Sequence, residues 1–440
     1  MKKITFGLMA LMISMSALAE LPSLKRVGDK WLLHVDGKPF PMLSGHVMNS
    51  SSFDLEAMES VWDRMKAFGL NTLICPVSWQ AIEPAEGQYD FTLVDGLIRQ
   101  ARERDMKLIL PWFGTWKNAR SFYVPEYVIS DMERFPRMQR KDGQKMEYIS
   151  TFSTEARDAD TRAFAAMMRH IKEVDGDENT VIMVQIQNEV GVLGDSRDRS
   201  PMAEAAFAGP VPQELIDYMV SNRDHLKEHL KTIWAVNGYK TAGTWGEVFG
   251  NDLHADEIFM AWQYSNYIDH MAAAGKAEHN IPMFVNGWLG QTKYSKPGRI
   301  PSGGPVARMM DVWKAGAPHI DLLAADIYAY FKYRCEGFIR DDNPLFVPEA
   351  CALWLGDRWS GPAKAFYTIA EAQGIGFAPF GIDHAQQYDA DHPIGVAYGA
   401  LNNLMPLILE NFGTENLRGF YKAIEEGEPE ETETSLEIGP

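Results

Sequence analysis

Eight short apolar runs recur along the chain, and longer amphipathic stretches separate them. The runs are almost continuously hydrophobic, which is typical of parallel strands whose two faces are both covered. Stretches with helical periodicity lie between them, for example residues 54–69, 90–105 and 155–174. Eight alternating strand–helix units predict an α/β fold, a (β/α)8 TIM barrel. The predicted strands are residues 40–47, 71–79, 107–116, 181–189, 281–288, 320–328, 344–350 and 375–383.

A doubly wound sheet is the alternative fold, and the end of the first strand disfavours it. The stretch "LSGHVMNS" at 43–50 contains one glycine, whereas that fold needs a glycine-rich phosphate turn. We therefore expect a barrel over residues 20–415, with a helical insertion between strands 4 and 5 that has helices near 212–235 and 253–276. Residues 416–440 are acidic and poor in large apolar side chains, so they predict a C-terminal tail or linker.

The N-terminal residues have the pattern of a targeting segment. Lys2 and Lys3 precede an apolar stretch that is short for a membrane span, and small residues follow up to Ala19. This pattern predicts a signal peptide over residues 1–19, cleaved after Ala19, with a retained membrane anchor as the alternative. We therefore expect a periplasmic or secreted protein. Later segments lack the ~18 uninterrupted apolar residues of a membrane helix, so no membrane association is expected after cleavage.

The charge balance narrows the possible partners. The formal net charge is −18, whereas nucleic acids and anionic membranes are bound by basic patches, so no nucleic-acid partner is expected. The cysteines Cys75, Cys335 and Cys351 match no zinc spacing, and the histidines His46, His384 and His392 form no ligand spacing. We therefore expect neither a metal ion nor a cofactor. The sequence predicts no particular oligomeric state.

The active residues of a TIM barrel come from the C-terminal ends of its strands. In this chain those ends carry carboxylates, amides and indoles, but no serine elbow for acyl transfer. A sugar is bound by such a rim, because a pyranose has an apolar C–H face and a polar edge. A carbohydrate substrate is therefore expected. In strand order the rim residues are Trp79; Trp112, Trp116 and Asn118; Asn188 and Glu189; Asn286 and Trp288; Asp326 and Tyr328; Glu349; Asp383 and His384.

Two of these carboxylates have the spacing of a catalytic pair. Glu189 ends strand four and Glu349 ends strand seven, and a closed barrel brings these ends to opposite sides of one mouth. Glycoside hydrolysis needs one acid to protonate the leaving oxygen and one carboxylate to attack or to activate water. A single strand-end glutamate is usually a capping or surface residue, so the prediction depends on the two occurring together.

The stretches around these residues resemble clan A glycoside hydrolases, and more closely the bacterial branch of the family 35 β-galactosidases. The resemblance extends over residues 25–412 and is carried by "NTLICPVSWQAIEPAEGQYDFTLVDGLI", "LILPWFGTWKN", "VQIQNEVG", "PMFVNGWL", "PLFVPEA" and "FAPFGID". In the clan, Asn-Glu ends strand four and Glu ends strand seven. The resemblance implies that Glu189 is the acid/base and Glu349 the nucleophile of a retaining mechanism. It also implies that Asn188 binds the sugar's 2-hydroxyl.

Other rim residues are candidates for binding the substrate. We expect Trp79 and Trp116 to be stacking platforms, with simple packing as the alternative, and Asn118 to bind a sugar hydroxyl. The resemblance implies that Tyr328 hydrogen-bonds Glu349 and keeps it ionised and aimed.

Asn286 and Asp383 are further candidates for sugar binding, although each side chain is also suited to hydrogen-bonding the backbone of a loop.

The predicted function is a retaining, exo-acting β-galactosidase. The third strand reads "PWFGTWKN" where family 35 members carry an Ala-Glu pair that grips galactose, which leaves the preferred sugar open. The alternatives are a retaining exo-glycosidase for another terminal sugar, such as arabinose or glucosamine, and a barrel that binds glycans without cleaving them.

Overall fold

The computed structural model describes residues 20–288, 296–353, 357, 359–387 and 391–419, without the side chains of 385–387. The strands are β1 (Ser23–Val27), β2 (Lys30–Val35), β3 (Lys38–Pro39), β4 (Met42–His46), β5 (Thr72–Ile74), β6 (Val77–Ser78), β7 (Lys107–Lys117), β8 (Arg137–Gln139), β9 (Lys145–Ile149), β10 (Val181–Asn188), β11 (Met283–Gly287), β12 (Leu322–Ile327), β13 (Phe346–Ala352) and β14 (Gly376–Phe380).

The helices are α1 (Leu55–Ala67), α2 (Trp79–Ile82), α3 (Thr92–Glu103), α4 (Glu126–Ser130), α5 (Thr154–Asp175), α6 (Pro201–Ala208), α7 (Gln213–Ser221), α8 (Glu228–Val236), α9 (Trp245–Phe249), α10 (Leu253–Glu278), α11 (Met310–Gly316), α12 (Phe331–Phe338), α13 (Ser360–Phe366) and α14 (Pro393–Asn411). Short 3-10 turns occur at Ser51–Phe53, Ala307–Met309 and Ile382–Gln387, and one π-helical turn at Tyr367–Glu371.

Eight parallel strands form a closed barrel in the order β4, β5, β7, β10, β11, β12, β13 and β14. The barrel closes where β14 pairs with β4, and Phe380 lies opposite His46 there. All of these pairings are parallel, and helices lie between successive strands. The predicted TIM barrel is therefore confirmed. One pairing matters for the site, because it sets Asp326 of β12 directly beside Glu349 of β13.

An antiparallel sheet of β1, β2 and β3 precedes the barrel, and the sequence analysis did not predict it. Its second hairpin turns through Asp36 and Gly37, whose φ angles of 51° and 73° fit a two-residue turn. Leu33 and Val35 of this sheet are buried in one cluster with interior residues of the barrel strands, such as Ile109. The sheet therefore closes the end of the barrel opposite the strand C-termini. The Asp-Gly pair was the available sequence signal.

The insertion between β10 and β11 is shorter than predicted. Helix α10 packs against the barrel helices α5 and α11, so it belongs to the ring of the barrel. The insertion therefore ends near residue 252. The helix predicted over 212–235 is divided into α7 and α8, because residues 222–227 are polar except for Leu226 and carry no continuous apolar face.

The two ends of the chain are only partly described. The predicted signal peptide, residues 1–19, lies outside the described residues, as does most of the predicted tail, from residue 420 onward. The first tail residues still pack on the barrel, since Arg418 forms an ion pair with Glu371 at 3.2 Å. Among the helices that the structure describes, none is both long and apolar enough to cross a membrane.

Candidate active site

Three carboxylates meet at the C-terminal mouth of the barrel. Oxygens of Glu189, Asp326 and Glu349 lie within 4.8 Å of one another, and all three side chains are buried. The structure thus brings together the two glutamates that the sequence analysis paired. It adds Asp326, which that analysis placed at a strand end without giving it a role.

The end of β10 departs from regular strand geometry, and this departure places Asn188 and Glu189 side by side. Adjacent side chains of a regular strand point to opposite faces. Here Gln187 and Glu189 have left-handed φ angles of 61° and 47°, and the pairing with β7 shifts register between Ile186 and Asn188. Such a bulge redirects side chains. Both Asn188 and Glu189 therefore reach the group of carboxylates.

A buried carboxylate on α5 supports this bulge. The Gln187 amide donates to Asp160 at 2.6 Å and accepts from the backbone N–H of Trp116 at 2.8 Å. Asp160 also accepts from the Trp112 indole at 2.7 Å and from Thr115, through both its backbone N–H (2.9 Å) and its hydroxyl (2.7 Å). Burial raises the pKa of Asp160, and these donors oppose that shift. The network joins the ends of β7 and β10.

The end of β7 contacts the β10 bulge directly. Lys117 donates from Nζ to the Asn188 carbonyl oxygen at 3.0 Å, and the Asn118 amide donates to the Glu189 carboxylate. Asn118 is in the left-handed region, with φ 51°, and its backbone N–H donates to the Asn188 backbone carbonyl at 3.1 Å. Lys117 is buried and was not singled out from the sequence. Its position directly before Asn118 at a strand end was the available signal.

Glu349 has a donor for each of its carboxylate oxygens. The Tyr328 hydroxyl donates to Oε2 at 3.1 Å, the contact expected from the sequence, and the Asn188 amide donates to Oε1 at 3.3 Å. Burial and then the charge of Glu349 raise the pKa of Tyr328, so the phenol remains a donor. His46, another residue that the sequence analysis did not select, lies 3.8 Å from Oε1, and burial lowers its pKa.

Asn286 connects the backbone at Glu189 to Asp326. Its side-chain oxygen accepts from the Glu189 N–H at 2.9 Å, and its amide donates to Asp326 at 2.6 Å. The other Asp326 oxygen, Oδ1, is buried and finds no donor among the described residues. One oxygen of the Glu189 carboxyl group lies within 4.8 Å of an Asp326 oxygen. Two carboxyl groups this close in a buried site are stabilised when one of them keeps a proton.

The pKa values of these two carboxyl groups reflect that contact. Burial, and next the charge of Glu349, raises the pKa of Glu189 to about 8, while Lys117 acts in the opposite direction. Burial, Glu349 and Glu189 together raise the pKa of Asp326 well above its ordinary value. The site therefore holds at least one carboxyl proton at neutral pH.

Both tryptophans predicted as stacking platforms are fully buried, which contradicts that prediction. The Trp79 indole donates to Glu83 at 2.7 Å, and the Trp116 indole donates to the Ile149 carbonyl at 3.0 Å. Trp116 is also covered by aromatic side chains of α10, including Tyr264 at a ring distance of 4.9 Å. Neither indole has a face open to a sugar, and the packing alternative is correct.

Asp383 also differs from its predicted role in binding the sugar. Its carboxylate accepts from the Met48 backbone N–H at 2.9 Å and from the Ser51 hydroxyl at 2.6 Å. Both oxygens thus hold the loop after β4. Of the two candidates with a possible loop role, Asp383 has one, whereas Asn286 lies within the carboxylate network.

A cavity of about 460 Å³ opens beside Asp326, and Trp288 and Arg308 also line it. Two sets of described residues have three ligand atoms close enough to hold one metal ion. One is the carboxylate group of Glu189, Asp326 and Glu349. The other consists of His229, His254 and Glu257, and both of its histidines line the same cavity. The expectation that no metal is bound remains a prediction.

Comparison with known proteins relates this site to a family. The model of glycoside hydrolase family 42, described as beta-galactosidase, matches residues 49–251. This match confirms the prediction of a glycoside hydrolase, but the assignment to family 35 is not supported, because the similarity is to family 42. The matched segment contains Glu189 and ends before Glu349. No curated protein sequence matches the chain significantly.

Solved structures show the same barrel. The β-galactosidase from Bacillus circulans sp. alkalophilus is 14% identical with a TM-score of 0.55, covering 84% of this chain and 57% of its own. Gan42B, a family 42 β-galactosidase from G. stearothermophilus, is 16% identical with a TM-score of 0.52, covering 85% and 58%. The β-amylase catalytic domain from Paenibacillus polymyxa is 12% identical with a TM-score of 0.54, covering 82% and 98%.

These similarities establish the fold and not the substrate. The β-amylase domain is named for a different activity from the β-galactosidases. Its TM-score of 0.54 is nevertheless close to the 0.55 of the Bacillus circulans enzyme. The chain also spans only 57–58% of the length of the two β-galactosidases. The activity of this protein must therefore be argued from its own site.

The raised pKa of Glu189 predicts a pH-dependent cost in stability. Because the folded state keeps this proton up to about pH 8 while the unfolded chain releases it near 4.5, stability falls as pH rises between these values. The Glu189→Gln variant has no proton to lose. We expect its melting temperature, relative to the wild type, to increase steadily from about pH 5 to about pH 8 in calorimetric scans.

The matched control is Glu59→Gln. Hydrogen bonding from Arg104 lowers the pKa of Glu59, so this carboxylate is ionised over the whole range in both states. The melting temperature of the control should differ from the wild type by a constant amount. A constant difference for Glu189→Gln as well would contradict the raised pKa.

Proposed function

We propose that the protein is a retaining, exo-acting β-galactosidase in which Glu349 is the nucleophile and Glu189 the acid/base. The observation that carries this proposal is the closeness of the two carboxylates, since one oxygen of Glu189 lies within 4.8 Å of one oxygen of Glu349. Retaining glycosidases hold their carboxyl groups ~5–5.5 Å apart, whereas inverting enzymes need ~6.5–9.5 Å to admit a water. The spacing here suits direct attack on the anomeric carbon.

The surroundings of the two glutamates support different roles. Tyr328 and Asn188 each donate to one oxygen of Glu349, which aims this carboxylate into the mouth. Glu189 is buried and its pKa is raised to about 8, so it holds a proton at neutral pH. A general acid needs a pKa near or above the working pH. The proton donor is therefore Glu189.

In the first step, a Glu349 oxygen bonds to the anomeric carbon as the bond to the leaving oxygen breaks, and Glu189 gives its proton to that oxygen. In the second step, Glu189 removes a proton from water, the water oxygen bonds to the anomeric carbon, and Glu349 leaves as a carboxylate. Glu189 therefore changes charge twice per turnover. Asn118 hydrogen-bonds Glu189, and Asp326 lies beside it, so both hold it in place through these changes.

Asn188 is held ready to bind the substrate. Lys117 fixes its carbonyl oxygen at 3.0 Å, and its amide lies 3.3 Å from Glu349, beside the position of the anomeric carbon. A hydrogen bond from this amide to the sugar's 2-hydroxyl strengthens as charge develops, which stabilises the transition state. Asn188 is the residue we assign to that contact.

The proposed sugar is a terminal β-galactose from oligosaccharides or polysaccharide side chains. Its support is the family 42 match and the β-galactosidases among the similar structures. Exo action is supported by the insertion, because His229 of α8 lines the cavity that also contains Asp326. We further propose that the protein is exported, because residues 1–19 have the sequence pattern of a signal peptide. A retaining exo-glycosidase for another terminal sugar is the second candidate, because the expected tryptophan platforms are buried.

A panel of aryl glycosides tests the substrate. The purified protein should hydrolyse aryl β-galactosides with a higher kcat/KM than α-arabinosides or β-glucosaminides, and Glu349→Ala should be inactive on all of them. With an oligosaccharide, chromatography should show single terminal sugars as the first product. A different preferred glycoside would favour the second candidate. Saturable binding without turnover of any glycoside would identify a glycan-binding barrel.

Alanine variants separate the roles of the two glutamates. Glu349→Ala should lose activity on every substrate, since the attacking atom is gone. Glu189→Ala should lose about 100- to 10,000-fold on poor leaving groups but much less on activated aryl oxides, which depart without a proton. Azide should restore turnover to Glu189→Ala and give a β-glycosyl azide, identified by NMR. An α-glycosyl azide from Glu349→Ala, with no rescue of Glu189→Ala, is a result that would reverse the two assignments.

Asp326 provides a test of proton sharing. In the proposed cycle, protonated Asp326 donates to Glu189 after Glu189 has given up its proton, and an asparagine keeps such a donor together with the acceptor for Asn286. We expect Asp326→Asn to retain most of its kcat. Asp326→Ala should lose roughly tenfold to hundredfold, the worth of a charge-assisted hydrogen bond. Asp326→Ala also removes a donor that stabilises the ionised form of Glu189, which raises the pKa of Glu189. The alkaline limb of kcat/KM should therefore move to higher pH in this variant.

The asparagine variant is the control for this prediction, because it has nearly the shape of the wild-type side chain. A similar loss in both variants, with no movement of the alkaline limb, would show that Asp326 acts as an ionised carboxylate and not as a donor.

A further inference from the structure

His229, His254 and Glu257 form a cluster outside the proposed catalytic centre. His254 and Glu257 are three residues apart on α10, so they lie on one face of that helix, and His229 comes from α8 in the insertion. One ligand atom from each side chain lies within 4.8 Å of the other two. The imidazole rings meet edge to face, with centroids 5.0 Å apart.

Each of the three side chains has one buried polar atom without a partner among the described residues. Nε2 of His229, Nδ1 of His254 and Oε2 of Glu257 are all buried, and no hydrogen bond reaches them from the part of the chain that the structure describes. Leaving a buried polar atom unsatisfied destabilises the folded state, and the cost is larger for a carboxylate. Three unpartnered atoms on side chains of one cluster are unexpected unless something binds between those side chains.

Glu257 gives the strongest indication of what binds. Its side chain is fully buried, and Arg308 occupies only one of its oxygens, donating to Oε1 at 2.8 Å. Among the described residues its second oxygen, Oε2, has no donor, and one oxygen of this carboxylate lies within 4.8 Å of a nitrogen of each histidine. A metal-bound carboxylate typically has its outer oxygen held by a hydrogen-bond donor in this way. Arg308 is thus placed as a support for a ligand.

We propose that His229, His254 and Glu257 bind a divalent transition metal ion of the zinc class. Two imidazole nitrogens and one carboxylate oxygen are a ligand set that Zn²⁺ accepts, whereas Mg²⁺ and Ca²⁺ favour oxygen ligands only. In a tetrahedral site with Zn–N of ~2.0–2.1 Å, ligand atoms lie about 3.3 Å apart. Small side-chain rotations bring the three atoms from their present spacing to that distance.

The position of the site indicates its consequence. Helix α8 belongs to the insertion and α10 belongs to the barrel ring, so the ion cross-links the two. The histidines both line the cavity of about 460 Å³ beside Asp326, and the remaining coordination positions therefore face this cavity. The ion does not take part in the proposed double displacement, which uses Glu189 and Glu349. It holds one wall of the cavity in place.

Metal binding can be measured without any substrate, so this proposal and the proposed function fail independently. The protein is dialysed against a chelator, reconstituted with Zn²⁺ or Co²⁺, and freed of excess metal. We expect one equivalent of tightly bound metal by elemental mass spectrometry. The Co²⁺ form should show the visible absorption bands of a low-symmetry nitrogen–oxygen site, and Zn²⁺ should raise the melting temperature of the chelated protein.

Glu257→Gln and His229→Ala should each lose the bound equivalent, the Co²⁺ bands and the rise in melting temperature. The control is His225→Ala, which removes an exposed histidine from the segment just before α8 and should keep all three. The Co²⁺ spectrum of the wild type tests metal binding without any variant, so the proposal can be judged even where a variant folds poorly. Absence of stoichiometric metal in the reconstituted wild type, or equal loss in His225→Ala, would overturn the proposal.

Discussion

The geometry of the site depends on the hydrogen bonds that the buried carboxylate of Asp160 accepts. It accepts four hydrogen bonds, from Trp112, Thr115 and Gln187, and so ties the ends of β7 and β10 to α5. The approach is so close that a Cβ on Gly114 would lie 2.6 Å from both Asp160 oxygens. A buried charge of this kind persists only when it is fully hydrogen-bonded. The bonds to Gln187 in turn stabilise the left-handed turn that brings Asn188 and Glu189 to the same face.

The mouth of the barrel combines this rigid support with unfavourable electrostatics. Glu189, Asp326 and Glu349 are crowded in a buried space, and Lys117 is the cation that lowers the pKa of the first two. Crowding raises the cost of ionising each carboxyl group, so one proton stays in the site. A retaining glycosidase requires the same condition, one carboxyl protonated and another ionised. The crowding of charges that destabilises the fold here is thus also what separates the two roles proposed for Glu189 and Glu349.

The sequence predicted the barrel and the glutamate pair because both depend on local signals. Apolar runs with helical stretches between them define strands and helices, and residues at strand ends reach the mouth in any closed barrel. Burial of the rim could not be predicted in this way. Trp116 is covered by Tyr264 of α10, a contact between residues far apart in the chain, and the proton on Asp326 depends on the register that sets it beside Glu349. Such contacts exist only after the barrel closes.

The incorrect family assignment has a related physical origin. The motifs at the ends of strands four and seven provide the chemistry, and glycoside hydrolases of one clan share that chemistry whatever sugar they bind. The residues that distinguish families lie in the loops and insertions around the mouth, where the sequence has no periodic signal. In this chain that region includes α8, which borders the cavity beside Asp326 through His229. How the insertion is held against the barrel is therefore a property of this cavity wall that strand-end motifs do not record.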